Sequence, residues 1–383
     1  MRTRQFHWNP DSGLSWLGEA GFVPDFVLYF GARALLSDSA CFDALRAAFP
    51  QSFLVGCSTG GQFDRRSICD DRVLAVAVSF HDSQAKLACV EVSNTLASSA
   101  CGAELGRALA RPDLRAMLVF SDGLMVNGTA LVAGLQESVG PTVTISGGLA
   151  GDGAAFEETL VGADAPPAPG RVAAIGLYGE HLSIHTGNAG GWMPFGPRRT
   201  ITRSEGNILH ELDGRPAFEL YRRYLNEEDL LALPGSALLF PLRIEPKGQS
   251  EQDVVRTILS IDQQSGAMTF AGDMPRGWSA QLMRGNADRM TESAAEAMRM
   301  AQGEAGSEAE GLALLVSCIG RRLLMGQQAV DEVEAAAEAM HARHALIGFY
   351  SYGEISPHSA SGFCQLHNQT MTVLTVSETS GDA

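Results

Sequence analysis

The sequence has no run of apolar residues that is long enough to cross a membrane. The apolar stretch at residues 73–78 is far shorter than the about 20 residues that a transmembrane helix needs. Residues 1–13 include no apolar segment of the kind found in a secretory signal. These absences predict a cytoplasmic protein with no membrane partner.

Paired cysteines are also missing. Seven cysteines are scattered singly and no C-x-x-C occurs, so the spacing indicates neither a zinc finger nor a disulfide framework. We therefore expect a reduced protein without a metal site. The cysteines are Cys41, Cys57, Cys69, Cys89, Cys101, Cys318 and Cys364.

Positive charge is scarce. The 28 Lys and Arg against 44 Asp and Glu give a net charge of −16, a field that repels phosphates. We therefore expect no nucleic-acid partner. With 45% hydrophobic and 19% charged residues, the composition is that of a globular protein, and 383 residues suffice for two or three domains.

Two nucleotide-binding motifs are absent, and a third motif is incomplete. The chain has no G-x-x-x-x-G-K-[ST], and no G-x-G-x-x-G opens a helix after a strand. Residues 56–60, GCSTG, match the G-x-S-x-G nucleophile elbow, which would make Ser58 the nucleophile of a hydrolase. The residues that follow lack the helical periodicity that the elbow requires. A serine hydrolase is therefore the third alternative, and we expect no enzyme.

Apolar periodicity repeats the order strand, helix, strand and Gly-rich turn three times. Apolar strands at residues 73–80 and 86–92 are predicted to pair as a hairpin. The pattern predicts an α/β fold of mixed β-sheets flanked by helices, built as two related halves with internal strand–helix–strand–hairpin repeats. The segments are residues 26–30, 38–49 and 53–55; 117–120, 127–138 and 142–145; and 312–317, 329–342 and 345–349.

The halves meet at about residues 190–213. We predict an N-terminal extension at residues 1–25, an N-terminal domain at residues 26–200 and a C-terminal domain at residues 201–383.

Each Gly-rich turn ends in a glycine followed by a polar residue. Since ligands bind at the carboxyl ends of strands in α/β sheets, the three turns predict one ligand cleft between the halves. Ordinary solvated turns are the alternative. Cys57 is the thiol expected near this cleft. The pairs are Gly61 with Gln62, Gly151 with Asp152, and Gly353 with Glu354.

Polar residues elsewhere extend the candidate site. His367, Asn368 and Gln369 place three hydrogen-bonding side chains in a row before a strand. The basic group Arg198, Arg199 and Arg203 either binds an anion or pairs with surface acids such as Glu205 and Glu211.

Several segments together resemble the FIST family, named for F-box and intracellular signal transduction. They are GGWMPFGP at residues 190–197, residues 202–221, GFYSYGEI at 348–355 and HNQTMT at 367–372, with GCSTGGQ and GGLAGDG as the Gly-rich turns. The resemblance extends over residues 26–378. Gln62 departs from the pattern, because many members carry a glutamate there.

The resemblance implies a cytoplasmic sensory protein that binds a small ligand and acts with two-component signalling proteins. One bacterial branch consists of haem proteins that sense nitric oxide and regulate a partner histidine kinase, which implies haem b and a gas ligand. The candidate haem ligands are His185, His344, His358 and His367, and ordinary hydrogen bonding is the alternative for each. An amino-acid or small-anion sensor without haem is the second alternative.

Overall fold

The structure is a computed structural model that describes residues 1–16, 21–231, 233, 235–248, 253–302, 310–341, 343–358 and 361–379. The chain forms three consecutive units of the same design, called units 1, 2 and 3. A separate domain, called the small domain, is inserted near the start of unit 3.

Units 1 and 2 come first along the chain. Unit 1 contains β1 (Arg2–Asn9), β2 (Gly13–Trp16), β3 (Phe26–Gly31), α1 (Arg33–Leu36), α2 (Ala40–Ala48), β4 (Phe53–Ser58), β5 (Gln62–Asp64), β6 (Ile68–Cys69) and β7 (Val73–Ser79). Unit 2 contains β8 (Gln84–Glu91), α3 (Ser98–Leu109), β9 (Leu114–Ser121), α4 (Gly128–Val139), β10 (Thr144–Leu149), β11 (Val161–Ala163) and β12 (Arg171–Tyr178).

Unit 3 is divided by the small domain. The unit begins with β13 (Leu182–Ala189). The small domain contains β14 (Met193–Glu205), β15 (Ile208–Leu212), β16 (Arg215–Pro216), α5 (Ala217–Tyr221), α6 (Glu227–Leu231), β17 (Leu242–Glu245), β18 (Val254–Arg256), β19 (Ile258–Ile261), β20 (Met268–Phe270) and β21 (Ser279–Arg284). Unit 3 resumes with α7 (Ala287–Met300), β22 (Gly311–Cys318), α8 (Ile319–Met325), α9 (Ala329–Ala339), β23 (His344–Ser351), β24 (Gly353–Pro357), β25 (Cys364–His367) and β26 (Met371–Glu378).

Each unit builds a mixed sheet around one pair of parallel strands. The pairs β3–β4, β9–β10 and β22–β23 are each joined through helices, and antiparallel strands flank every pair. The sheet orders are β11-β4-β3-β7-β1-β2, β25-β24-β10-β9-β12-β8 and β6-β5-β23-β22-β26-β13. The predicted α/β class, its mixed sheets and its strand–helix–strand segments are confirmed.

The units exchange strands in a cycle. The strand that follows each parallel pair joins the sheet of another unit: β5 pairs with β23, β11 with β4, and β24 with β10. Strands from both sides of residue 200 therefore share sheets, and the carboxyl ends of the three parallel pairs are drawn together.

The predicted hairpin is wrong in its pairing. Residues 73–80 and 86–92 do form strands, but β7 pairs with β1 and β3, whereas β8 pairs with β12 in another sheet. A short connection allows a hairpin without requiring it, and here it leads from one unit into the next. The helix predicted at 329–342 ends at Ala339, and residue 342 lies outside the described residues.

The inner faces of the three sheets pack against one another. Phe30, Phe120 and Phe349, one from each sheet, meet with ring centroids 4.5–6.2 Å apart. Helices cover the outer faces, with α2 on the first sheet, α3 and α4 on the second, and α7 and α9 on the third. The small domain has its own apolar core. Within the described ranges, no helix combines the length and apolarity that crossing a bilayer demands.

Candidate functional site

The three Gly-rich turns meet at the centre of the molecule. Because the units exchange strands, each turn contacts a turn of another unit, and the contacts are backbone hydrogen bonds. They run from Gly60 N–H to Tyr350 O (2.8 Å), from Gly151 N–H to Ser58 O (2.9 Å) and from Tyr352 N–H to Leu149 O (3.2 Å).

Gln62 and Asp152 are bound by the protein itself. Gln62 is buried, accepts a hydrogen bond from Thr59 Oγ1 at 2.8 Å and donates one to Arg72 O. Asp152 accepts the Tyr352 hydroxyl and three backbone N–H groups. Both side chains hold the turns in place through these hydrogen bonds. Either side chain could bind a ligand only by exchanging these hydrogen bonds for bonds to the ligand.

The glycines and the cysteine of these turns are closely packed. Gly61 has a φ of +121°, and an added Cβ would lie 1.9 Å from Arg322 Nη1. An added Cβ on Gly151 would lie 3.2 Å from Gly60 N. Cys57 is buried among the apolar side chains between the sheets, and burial raises the pKa of its thiol.

Glu354 is a buried carboxylate held by neutral donors. It accepts hydrogen bonds from Ser351 Oγ at 2.8 Å, Thr370 N–H at 3.1 Å and Thr370 Oγ1 at 2.9 Å. Burial raises the pKa of Glu354 to about 8, although these hydrogen bonds favour its charged form. The carboxyl therefore holds its proton to a higher pH than an exposed glutamate does.

This pKa predicts that stability falls as the pH rises. Glu354 is protonated more readily in the folded state, so its contribution is full below pH 4.5 and is lost through pH 8. Burial lowers the pKa of His367 to about 4, so this histidine makes the free energy of unfolding rise with pH. Its effect is confined to pH values below 6.5, the ordinary pKa of histidine. Between pH 6.5 and 8 we expect the free energy of unfolding to fall by about 2 kcal/mol more in the wild type than in Glu354→Gln. Urea unfolding across this range measures the difference, and equal slopes for both proteins would contradict it.

The segment after β25 joins the three units to the small domain. Asn368 Oδ1 accepts Thr257 N–H at 3.3 Å, and Gln369 Nε2 donates to Thr257 Oγ1 at 3.1 Å and Leu238 O at 3.0 Å. Gln369 is fully buried at a φ of +66°, and no residue that the structure describes forms a hydrogen bond with its Oε1. A strained, incompletely bonded residue therefore lies at this junction.

A cavity of about 270 Å³ lies beside this segment, between α4, the small domain and β25. Its walls are mostly apolar, and its polar groups come from both sides of the junction, which is typical of a small-ligand site. The lining residues are Thr129, Val132, Ala133, Ile244, Val254, Arg256, Asp273, Pro275, Trp278, Cys364, Gln365 and Leu366.

Arg256 is the buried cation of this cavity. It is 5% exposed and donates to three backbone carbonyls, those of Leu366 at 3.0 Å, Val255 at 3.2 Å and Asp273 at 3.3 Å. Burial lowers the pKa of Arg256 to about 10, with the charge of Asp273 acting against this shift. Among the described residues no carboxylate oxygen lies within 4.0 Å of its nitrogens. The site can therefore still accept an anion.

Asp273 supplies a carboxylate to the same cavity. Its Oδ1 accepts Asn127 Nδ2 at 2.7 Å, and its backbone N–H donates to Thr129 Oγ1 at 3.2 Å. A cation and a carboxylate thus face one largely apolar space. Arg256, Thr257 and Asp273 were not predicted from the sequence. The available signal was an arginine inside the apolar strand pattern of residues 254–259.

Of the four candidate haem ligands, His358 and His367 lie side by side, and His185 and His344 lie on two other strands. The rings of His358 and His367 stack, with centroids 5.9 Å apart and planes 8° from parallel. His185 lies on β13, with Nε2 3.0 Å from Ser183 Oγ, and His344 begins β23. In the described part of the chain, no three His, Cys, Asp or Glu side chains are placed to hold a metal ion.

Haem needs a ring nitrogen that faces space for the macrocycle. The Nε2 of His367 is 3.1 Å from Ser356 O, and one ring face is covered by His358. The neighbouring cavity is lined by Leu366 rather than by His367. Ligation through this nitrogen therefore requires the ring to turn away from its present partners.

Ser58 lacks the surroundings of a nucleophile. It is fully buried, and its Oγ accepts Leu160 N–H at 2.9 Å. Strand β4 is followed by β5 and not by a helix, so the strand–turn–helix of a nucleophile elbow is not formed.

The basic group is paired with acids. Arg198 lies 2.5 Å from Glu245 and Arg203 lies 3.0 Å from Glu211. Arg199 lies 3.1 Å from Asp213. Of the two roles predicted for these arginines, the structure shows pairing with acidic side chains and not a free anion-binding group.

Comparison with known proteins gives matches over most of the chain. Residues 25–215 match the FIST N domain and residues 217–357 match the FIST C domain. An uncharacterized protein of Methanocaldococcus jannaschii is 25% identical over 201 residues, which are 49% of this chain and 38% of that protein. The chain thus spans less than two-fifths of the length of this relative.

Proposed function

Because the chain belongs to the FIST family, whose domains are sensory domains of signal transduction that bind small ligands, we propose that it senses a small carboxylate-bearing molecule. The ligand binds in the cavity between α4 and the small domain, with its carboxylate on Arg256. The observation that carries this proposal is a buried guanidinium at the wall of a cavity, whose hydrogen bonds to the described residues all go to neutral carbonyls.

Asp273 extends the proposal to an amino group. A zwitterion places opposite charges a few ångströms apart, which matches a cavity that contains both Arg256 and Asp273. The apolar wall, with Val132, Ile244 and Trp278, accommodates a hydrocarbon side chain. An amino acid with an apolar side chain is therefore the preferred ligand class.

The position of the cavity provides a route from ligand to signal. Arg256 and Thr257 belong to the small domain, and their partners Leu366, Asn368 and Gln369 belong to unit 3. A ligand on Arg256 competes with Leu366 O and alters how the small domain sits on the three units. Unequal binding to the two arrangements is what a sensor requires. We propose that a histidine kinase in the cytoplasm reads this change.

Thermal unfolding with a panel of amino acids and dicarboxylates tests the ligand. A ligand at a concentration of 100 times its dissociation constant adds about 2.7 kcal/mol to the free energy of unfolding. We therefore expect the melting temperature to rise by about 3 °C. Arg256→Met should weaken binding by about 100-fold because the carboxylate loses its charged donor. Arg203→Met, a surface arginine paired with Glu211, is the control and should leave binding unchanged.

A second variant protects this test against a folding defect. Ala133 is exposed on α4 and lines the cavity, so Ala133→Phe fills the space without removing a bond of Arg256. It should also abolish the thermal shift. Retention of the shift in both variants, or no shift with any compound of the panel, would overturn the proposal.

A second candidate function is nitric oxide sensing through haem b. One observation favours it: burial keeps His367 neutral, with its pKa lowered to about 4, and the neutral imidazole is the form that binds iron. The absorption spectrum of the reduced protein with and without nitric oxide tests it. A haem band that shifts with nitric oxide and is lost in His367→Ala would support this function. A protein that takes up no added haemin would exclude it.

A further inference from the structure

Strand β8 forms an open edge of the second sheet. It pairs with β12 on one side, and the sheet order ends at β8. Its side chains are exposed at Gln84, Lys86, Cys89 and Glu91, so the strand is not covered along its length. The eight residues show no bulge in their pairing with β12 and include no proline.

The register shows which backbone groups point outward. Val92 N–H donates to Gly170 O at 2.7 Å, in the same register that pairs Glu91 with Arg171. Because hydrogen-bonded pairs alternate along an antiparallel ladder, the even-numbered residues of β8 bond to β12 and the odd-numbered residues point away. Ala85, Leu87 and Cys89 thus direct their N–H and C=O groups outward. No described residue outside β12 forms a backbone hydrogen bond with them.

The equivalent edge of unit 1 is occupied. In the first sheet, β1 holds the position that β8 holds in the second, and β2 pairs with its outer side in antiparallel orientation. The same architecture therefore accepts one more antiparallel strand at this position. In the described part of unit 2 the chain supplies no such strand.

We propose that β8 pairs with β8 of a second copy of this chain, antiparallel and two-fold symmetric about Leu87. In this register Ala85 of each copy meets Cys89 of the other, and the outward N–H and C=O groups of three residues per copy are all paired. Cys89 is the last residue of β8 in this set, because the carbonyl oxygen of the next outward-pointing residue, Glu91, already accepts the Cys101 thiol at 3.8 Å.

The side chains favour this arrangement. Lys86 of one copy faces Ala88 of the other, and Gln84 faces Val90, so no like charges lie directly opposite. An uncovered edge of this length is a template for strand addition, and two-fold pairing closes this edge to further strands. The product is a continuous sheet shared by two chains.

A proline at position 89 tests the proposal. Cys89 is exposed and its N–H points outward, so within the described residues Cys89→Pro removes no backbone hydrogen bond and blocks the facing strand. It does remove the thiol contact with Val90 O at 3.9 Å. Cys89→Ser keeps the N–H and is the matched control. Light scattering after gel filtration should give twice the mass of one chain for the wild type and for Cys89→Ser. The dimer dissociation constant should rise at least about 30-fold in Cys89→Pro, since two interchain hydrogen bonds are lost and the strands are held apart.

Two results would overturn the proposal. The first is a wild-type protein that remains a monomer at every concentration tested. The second is a Cys89→Pro protein that keeps the dimer mass, which would place the interface elsewhere. Circular dichroism and thermal unfolding of Cys89→Pro verify its fold, and Ala85→Pro, whose N–H also points outward, repeats the test at a second position.

Discussion

Replacing Glu332 by alanine is expected to lower the free energy of unfolding by about 3–5 kcal/mol. Glu332 and Arg321 are fully buried, with Arg321 Nη2 2.6 Å from Glu332 Oε2. Tyr350 Oη and Ser317 Oγ donate to the other carboxylate oxygen at 2.9 and 3.1 Å. Without the carboxylate, a guanidinium remains buried without its counter-charge, Ser317 Oγ loses this acceptor, and Tyr350 Oη keeps its longer bond to Ala329 O at 3.4 Å. The shift of the urea midpoint measures the loss.

Two further proteins separate the lost charge from a general effect on α9. Glu334→Ala removes an exposed carboxylate from the same helix and should change stability by less than about 0.5 kcal/mol. The double variant Arg321→Met with Glu332→Leu replaces the pair by apolar side chains, and it should be more stable than Glu332→Ala alone. A double variant that is less stable than Glu332→Ala would show that the pair itself, and not the orphaned charge, supplies the stability.

Replacing Gly102 by alanine is expected to cost about 3 kcal/mol, the second largest effect. Helices α3 and α4 cross so closely that a Cβ on Gly102 would lie 2.2 Å from Leu131 O. A Cβ on Gly134 would lie 2.1 Å from Ser99 O, so the contact is reciprocal. The clashing atoms are backbone oxygens, which cannot move aside as the end of a flexible side chain can. The two helices must therefore separate to accommodate the added methyl group. Thermal unfolding measures the loss for each variant.

The control for this prediction is the same substitution in open space. Among the described residues other than its chain neighbours, Gly235 has no atom within 4 Å of an added Cβ, and its φ is not positive, so Gly235→Ala should change stability by less than about 1 kcal/mol. In a helix free of contacts, replacing glycine by alanine stabilises the protein. A loss of stability in Gly102→Ala therefore indicates the close contact with the neighbouring helix. A stabilised Gly102→Ala protein would mean that the helices do not cross in this way.

The sequence predicted much of the local structure because periodicity is a local property. The apolar strand at residues 26–30 and the helix after Asn127, whose side chain accepts Ala130 N–H, both formed where the pattern placed them. The pairing of residues 73–80 with 86–92 failed, because an apolar run does not specify which strand lies beside it.

The sequence pointed to residues of the candidate site in unit 3 but not to those in the small domain. Glu354, Asn368 and Gln369 were selected from the sequence. Asn368 and Gln369 lie at the junction with the small domain, and Glu354 accepts from Thr370, the residue after Gln369. Their roles as ligand-binding residues stay predictions. Arg256 and Asp273 were not selected, because the two are 17 residues apart and only the fold of the small domain brings them together, with α4 closing the cavity beside them.

The sequence by itself determined the composition class, the three strand–helix–strand segments and the resemblance to the FIST family. These depend on residue types and on spacings within a few turns of chain. Only the tertiary structure decided that strands are exchanged between units, that the Gly-rich turns bond to one another, and that a buried guanidinium faces a cavity. Such features depend on contacts between residues far apart in the chain, which cooperative packing of the whole molecule selects and local propensity does not encode.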